Sequence, residues 1–292
     1  MLSRTVKRTV SIVGAGRVGR TLGKRLRERG WNIGAVVTRS RATAQAAVRI
    51  IGGGKPFDHL NDAVYEADLI LFAPPDDALP AIARELAASG GKRCKGKIVL
   101  LTSATLDRSA LQAFARRGAA TGSLHPMQAF GGKIIPKLKG VIFAIEGDAK
   151  ARRMAASIAK SLGGIPVPIK TRNKPIYHAS AVVAGGSLYP VTEAGLQLLM
   201  GIGFTRKRAT QTLLPLVRQI LDNIARIGPR AAWTGPLSRD DYAIVAKHMR
   251  VLRRYPREYQ ESYAALARLA GRTLAKDPAV ALRRTERALR KS

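Results

Sequence analysis

Cysteine, acidic residues and aromatic rings are all scarce in this chain of 292 residues. Its single cysteine, Cys94, excludes an intrachain disulfide and any cysteine-based metal cluster, so no metal site is expected and a reducing, cytoplasmic setting is. Only 19 Asp and Glu stand against 51 Lys and Arg, a formal charge of +32 that is extreme for an ordinary soluble enzyme. Such a field attracts polyanions of every kind and says little about fold. The charge of this basic protein is dispersed over Arg4 to Arg29, Lys92 to Lys97, Lys133 to Lys139, Arg206 to Arg208 and the end from Lys247. Aromatic residues make up 5%, too few for the stacking platforms of a nucleic-acid face, so specific nucleic-acid binding is not expected. Long apolar runs are missing as well, and none approaches the ~20 residues of a membrane span. The run behind the basic start Met1 to Arg8 is Val10 to Ala15, too short and too interrupted for a secretory leader. With 46% hydrophobic residues the chain is long enough to fold as two domains with their own cores.

What the chain does carry is a short β-type run, Val10 to Val13, feeding Gly14-Ala15-Gly16-Arg17-Val18-Gly19, with a helical pattern over Thr21 to Arg29 behind it. In a dinucleotide-binding unit the first glycine permits the turn, the second lets the backbone approach a pyrophosphate, and the third lets the helix pack on the strand. The helix N-terminus then faces the phosphates. The second strand, Ile33 to Val37, ends in Thr38-Arg39-Ser40-Arg41, where a fold of this kind meets the adenine ribose. An acidic residue there would select NAD, but the only acid in the first 55 positions is Glu28, inside the first helix. Arginine and small hydroxyls suit a 2′-phosphate instead. NADP(H) is therefore the expected cofactor, with Arg39 on the phosphate and Thr38 and Ser40 beside it; a solvated basic loop is the plainer alternative.

The alternation continues. Ala42 to Ile51 reads as a helix ended by Gly52-Gly53-Gly54, and Lys55 behind those glycines fails the phosphate-loop pattern. Ala67 to Ala73 is an apolar strand whose following loop, Pro74-Pro75-Asp76-Asp77, borders the expected nicotinamide position, its carboxylates capping a helix from Ala78 to Ala88. Lys97 to Leu101 is a strand ending in Thr102-Ser103, Asp107 to Arg117 a helix, and Ala119 to Leu124 a strand that delivers His125 to the same sheet edge, well placed for proton transfer, with a structural role as the plainer alternative. Val141 to Glu146, Ala149 to Leu162 and Gly164 to Ile169 complete a doubly wound, mostly parallel α/β sheet. Beyond Lys170 only helices are expected, over Lys174 to Met200, Phe204 to Ile227, a segment capped by Ser238 and Asp241, a helix from Pro256 to about Leu274, and a basic helix from Asp277. Lys174 and His178, four apart, share one helix face. The domains expected are residues 1–170, Rossmann-like, and 171–292, all helical.

Gly14 to Gly19, Pro75-Asp76-Asp77, Leu124-His125-Pro126, Tyr177-His178-Ala179-Ser180-Ala181 and Thr234-Gly235-Pro236-Leu237 occur here in that order. Together they resemble NADP-dependent oxidoreductases in which a Rossmann-like domain precedes a helical domain of unknown function, the DUF2520 type. The layout is similar to pyrroline-5-carboxylate reductase and 6-phosphogluconate-dehydrogenase-like enzymes, whose helical domains dimerise and close over the nicotinamide. The resemblance implies hydride transfer to or from a small carbonyl or imine held between the domains, and a homodimer through the helical half. Catalytic candidates are His125, Lys174, Tyr177 and His178; Gly14 to Gly19, Thr38, Arg39, Ser40, Ala73, Pro74, Pro75, Thr102 and Ser103 are the expected cofactor contacts. Two polar groups usual in the family are replaced, by Leu101 and by Gly185-Gly186. That departure keeps open a non-catalytic NADP(H)-binding sensor or assembly protein.

Overall fold

The structure, a computed structural model, describes residues 8–132 and 134–290. The basic start before Arg8, Lys133 and the last two positions of the terminal basic helix lie outside the described residues. The contacts divide the chain into two compact units, Met1–Ala184 and Gly185–Ser292.

In the first unit, β-branched and aliphatic runs form strands and the 3.6-period stretches between them form helices. The order is β1 (Thr9–Val13), α1 (Arg17–Glu28), β2 (Asn32–Val37), α2 (Arg41–Ile51), β3 (Lys55–Phe57), β4 (Leu69–Phe72), α3 (Leu79–Gly90), β5 (Ile98–Leu101) and α4 (Gln112–Ala115), then β6 (Ala120–Pro126), β7 (Ile142–Gly147), α5 (Ala149–Ser161), β8 (Ile165–Pro168) and α6 (Lys174–Ala181). One eight-stranded sheet runs β3-β2-β1-β4-β5-β6-β7-β8. All its pairs are parallel except β6 with β7. Alternate strand residues supply opposite faces. Val10, Ile12, Leu69, Leu71 and Leu100 meet Leu22, Leu26, Ile51 and Ile158 on one side. Val13, Ile70, Phe72, Val99 and Leu101 meet Leu79, Leu86 and Phe114 on the other. The carboxyl ends of β1, β4, β5 and β6 consequently share one edge, where ligands of doubly wound sheets bind.

The second unit is helical: α7 (Leu188–Met200), α8 (Arg206–Ile227), α9 (Pro229–Ala232), α10 (Tyr242–Leu252), α11 (Arg257–Thr273) and α12 (Pro278–Arg290). Val245, Met249, Ala264, Ala288 and Leu289 join α10, α11 and α12 in a small core, so the terminal basic helix lies on its own unit. Among the described residues no helix is long and apolar enough to cross a membrane.

Four elements differ from the sequence reading. The expected helix from Lys174 to Met200 is interrupted by a π turn at Val182–Gly186, where two β-branched residues and two glycines weaken the α-helical ladder. The break between the units falls inside that turn, so α6 belongs with the sheet and not, as a boundary at 170 would have it, with the helices. The helix expected over Asp107 to Arg117 is a 3₁₀ turn, Arg108–Leu111, followed by the one-turn α4. Finally, Ser238 does not cap α10: its hydroxyl donates to the Gly235 carbonyl at 2.8 Å, and Asp241 is the N-cap, accepting from Ile244 N at 3.3 Å.

Candidate functional site

At the end of β1 the chain must turn within three residues to start α1. Gly14 does this at φ +88°, donating to the Val37 carbonyl at 2.9 Å. A Cβ on Gly14 would lie 2.3 Å from Pro74 N, and one on Gly19 2.3 Å from the Gly14 carbonyl oxygen. Fold packing alone demands both glycines. Gly16 is different. Its φ of −68° is open to any residue, and a Cβ there would meet no protein atom within 4 Å. Gly16 and Arg17 are exposed, Ala15 is buried and Val18 packs on the core. The first turn of α1 has no acidic residue and no side-chain cap, leaving its N–H groups and dipole for an anion.

Thr38, Arg39 and Ser40 follow β2 beside this turn. Ser40 is the N-cap of α2: its hydroxyl donates to Thr43 Oγ1 at 2.9 Å and accepts from Thr43 N at 3.3 Å, while Thr38 Oγ1 donates to the Ser40 carbonyl at 2.9 Å. Those hydroxyls hold the loop. Arg39 is exposed and has no hydrogen-bond or ion-pair partner among the described residues.

Ala73, Pro74 and Pro75 close the next strand, with Ala73 N donating to the Val13 carbonyl at 2.8 Å. The two carboxylates behind them separate in role. Asp77 accepts from Ala78 N at 2.8 Å, ahead of α3, whose own N-cap, Ala78, has no side-chain cap bond. Asp76 accepts from Ser103 Oγ at 2.7 Å and from the Thr105 hydroxyl. Ser103 Oγ also accepts from Thr105 N and Leu106 N at 3.0 and 2.9 Å, so the expected cofactor hydroxyl is saturated within the protein. Thr102 is buried, its N–H donating to the Phe72 carbonyl at 2.9 Å. Leu101 is buried in the core behind β5, so the polar group whose loss the resemblance suggested would stand among apolar side chains here.

His125 ends this series of strand termini. Its Nδ1 lies 3.1 Å from Tyr177 Oη, the rings edge to face with centroids 5.6 Å apart. Burial lowers the His125 pKa to about 4, helped by the charges of Lys174 and His178 and opposed by Asp76. The imidazole is neutral at pH 7. Burial likewise pushes the Tyr177 phenol up to about 12. Lys174, the first residue of α6, is only 2% exposed; its Nζ donates to the Ser103 carbonyl at 3.2 Å and to Ser123 Oγ at 3.1 Å. It has no carboxylate in contact among the described residues, and burial lowers its pKa against the pull of Glu146, Asp107 and Asp76. His178 is half-buried, and its imidazole has no hydrogen-bond partner among the described residues. The structure thus brings His125, Tyr177 and Lys174 together and withdraws the Lys174 amine from the surface. Ser123 and Asp76 are the members that sequence reasoning did not assign. Ser123 carried a signal, being a polar residue two before His125 in the same strand and hence on its face. No set of three or more His, Cys, Asp or Glu among the described residues is placed to hold a metal ion.

Residues 3–126 match the Rossmann-like domain family, and residues 141–270 match a domain of unknown function, DUF2520. The chain joins a Rossmann-like domain to a DUF2520 domain. Among solved structures, a candidate NADP oxidoreductase from Bacteroides fragilis is 19% identical with a TM-score of 0.73, over 89% of this chain and 96% of that one. A protein from Thermotoga maritima is 20% identical with a TM-score of 0.69, over 96% and 99%. A reductive aminase from Aspergillus terreus, in complex with NADPH and ethyl-5-oxohexanoate, is 17% identical with a TM-score of 0.62, over 98% and 95%. At these identities the likeness carries the fold. No curated protein matches the chain.

Proposed function

We propose that this Rossmann–DUF2520 chain is an NADP(H)-dependent oxidoreductase that transfers hydride between the nicotinamide and a small carbonyl or imine. The observation that carries this reading is the glycine turn, which packing closes at Gly14 and Gly19 and leaves open at Gly16, over an uncapped helix N-terminus. The residues present fit a dinucleotide: the α1 N–H groups and Gly16 for the pyrophosphate, Arg39 for the 2′-phosphate, Ala73 to Pro75 and Thr102 along the nicotinamide side. When bound, NADP(H) supplies or accepts the hydride, and reduction of a carbonyl or imine also requires one proton at the oxygen or nitrogen. In the direction of reduction His125 Nε2 gives up its proton to the substrate as Nδ1 takes the Tyr177 phenol proton, and the phenolate left behind is reprotonated from solvent. With the phenol protonated and the imidazole neutral, Tyr177 Oη donates to His125 Nδ1 and Nε2 is the proton-bearing nitrogen. Lys174 acts behind them as a positioning residue, tying the ends of β5 and β6 together and holding His125 neutral. His178 remains a candidate to meet the substrate. A cytoplasmic setting suits the one cysteine, a buried free thiol.

Calorimetric titration tests the cofactor. NADPH is expected to bind more tightly than NADH, and Arg39→Ala to weaken NADPH by about 10- to 100-fold while sparing NADH, the loss of a charge-assisted phosphate contact. NADH binding as tightly as NADPH, or an Arg39→Ala protein indistinguishable from the parent, would overturn the assignment.

The same reading includes a homodimer through the helical unit. It is supported by α8, a 22-residue helix whose only buried residue is Ala209 and which exposes Leu216, Ile220, Ile224 and Ile227 at helical spacing. Sedimentation is expected to give dimers for the parent and monomers for Ile220→Glu combined with Ile224→Glu; an unchanged dimer would place the interface elsewhere.

A further inference from the structure

The helical unit carries an open groove of about 600 Å³ between α10 and α12. Tyr242, Ala246 and Arg250 are spaced four apart on α10 and so line one side; Arg284, Arg287 and Ala288 line the other from α12. Ala246 and Ala288 are buried and leave room above them, whereas the three arginines are exposed at the rim. The guanidiniums of Arg250 and Arg287 have no hydrogen-bond or ion-pair partner among the described residues. The one carboxylate that reaches the set is Asp240, 3.5 Å from Arg284 Nη1 and accepting from Tyr242 Oη at 3.1 Å. Asp240 sits at φ 56°, the only described residue other than glycine at positive φ, a conformation that aspartate tolerates and that is uncommon elsewhere. Three nearby acids are engaged elsewhere: Glu286 with Arg268 at 2.6 Å, Asp241 at the N-terminus of α10, and Asp277 at that of α12. Three guanidiniums against one carboxylate leave a surplus of two positive charges over an apolar floor. A phosphate monoester carries close to two negative charges at pH 7 and offers three acceptor oxygens, matching both the charge and the forked donors.

We propose that this groove is a binding site for a phosphate-bearing small molecule, distinct from the dinucleotide turn in the first unit and not dependent on it. The test is calorimetric titration of inorganic pyrophosphate into the full chain at physiological ionic strength. A saturable step is expected whose affinity falls about tenfold in Arg250→Gln and again in Arg287→Gln. Both side chains are exposed, so the variants fold. Arg152→Gln removes the same charge from α5, and Gly16→Ser blocks the pyrophosphate approach proposed in the first unit; neither is expected to change the step. Absence of a saturable step, or equal weakening by Arg152→Gln, would reduce the binding to the general field of a basic protein and overturn the proposal. Loss confined to Gly16→Ser would overturn it too, by assigning the pyrophosphate to the α1 turn.

Discussion

His125→Ala is expected to lower NADPH-dependent turnover of a reducible carbonyl or imine by about a thousandfold, within the range that a positioned proton donor contributes. The Michaelis constant should move little, because the imidazole acts on charge that develops during the reaction and not on the bound ground state. Tyr177→Phe removes the hydroxyl 3.1 Å from His125 Nδ1 and is expected to cost less, since the ring contact survives. The double variant should be no worse than His125→Ala alone, because two groups that act as a unit do not add. Turnover unaffected by His125→Ala would remove the imidazole from the mechanism. The pH profile gives a second readout. With its pKa near 4 in the folded chain, His125 should produce no inflection around 6.5, and Lys174→Met, which deletes a neighbouring cation, should move its titration upward. The sign for stability follows from the same shift. Between 6.5 and about 4 the unfolded chain takes up a proton that the folded one excludes, so stability falls as pH is lowered through that window.

Gly14→Ala is expected to destabilise the first unit by roughly 3 kcal/mol or more, the sum of a left-handed alanine and a clash with backbone. The clash has no soft partner: the new Cβ would stand 2.3 Å from Pro74 N and 2.6 Å from the Ala73 carbonyl carbon. For a chain of this size that corresponds to a fall in Tm of about 6–12 °C. Gly16→Ser is its counterpart. The position is the N-cap of α1, where serine is at least as good as glycine, and its Cβ meets nothing within 4 Å. Tm should therefore hold or rise slightly while NADPH binding weakens by about tenfold or more, because the side chain occupies the pyrophosphate approach. Scanning calorimetry with and without NADPH separates the two glycines. Equal loss of stability in both variants would show the turn to be structural throughout, and undiminished NADPH binding by Gly16→Ser would move the cofactor elsewhere.

Much of this was legible from residue order. Short apolar runs such as Ile33 to Val37 and Ala67 to Ala73 marked strands buried on both faces, and the glycines at 14, 16 and 19 stood in the strand-turn-helix setting that gives them meaning. Direction was not legible in β7, since an apolar run reads alike parallel or antiparallel, and β3, three residues at the sheet edge with a central proline, has too little pattern to show. Lys174 is the sharper case. A lysine at the start of a helix reads as solvated, and its burial depends on Ser103 and Ser123, 71 and 51 residues away. Ser103 failed as a free hydroxyl for the same reason, its partner Asp76 lying 27 residues earlier.

That last contact has a mechanical consequence. One carboxylate gripping hydroxyls from Ser103 and Thr105 welds the segment after β4 to the segment after β5, so neither can shift without dragging the other. The rim beside His125 is in this respect a fixed lip and not a flap.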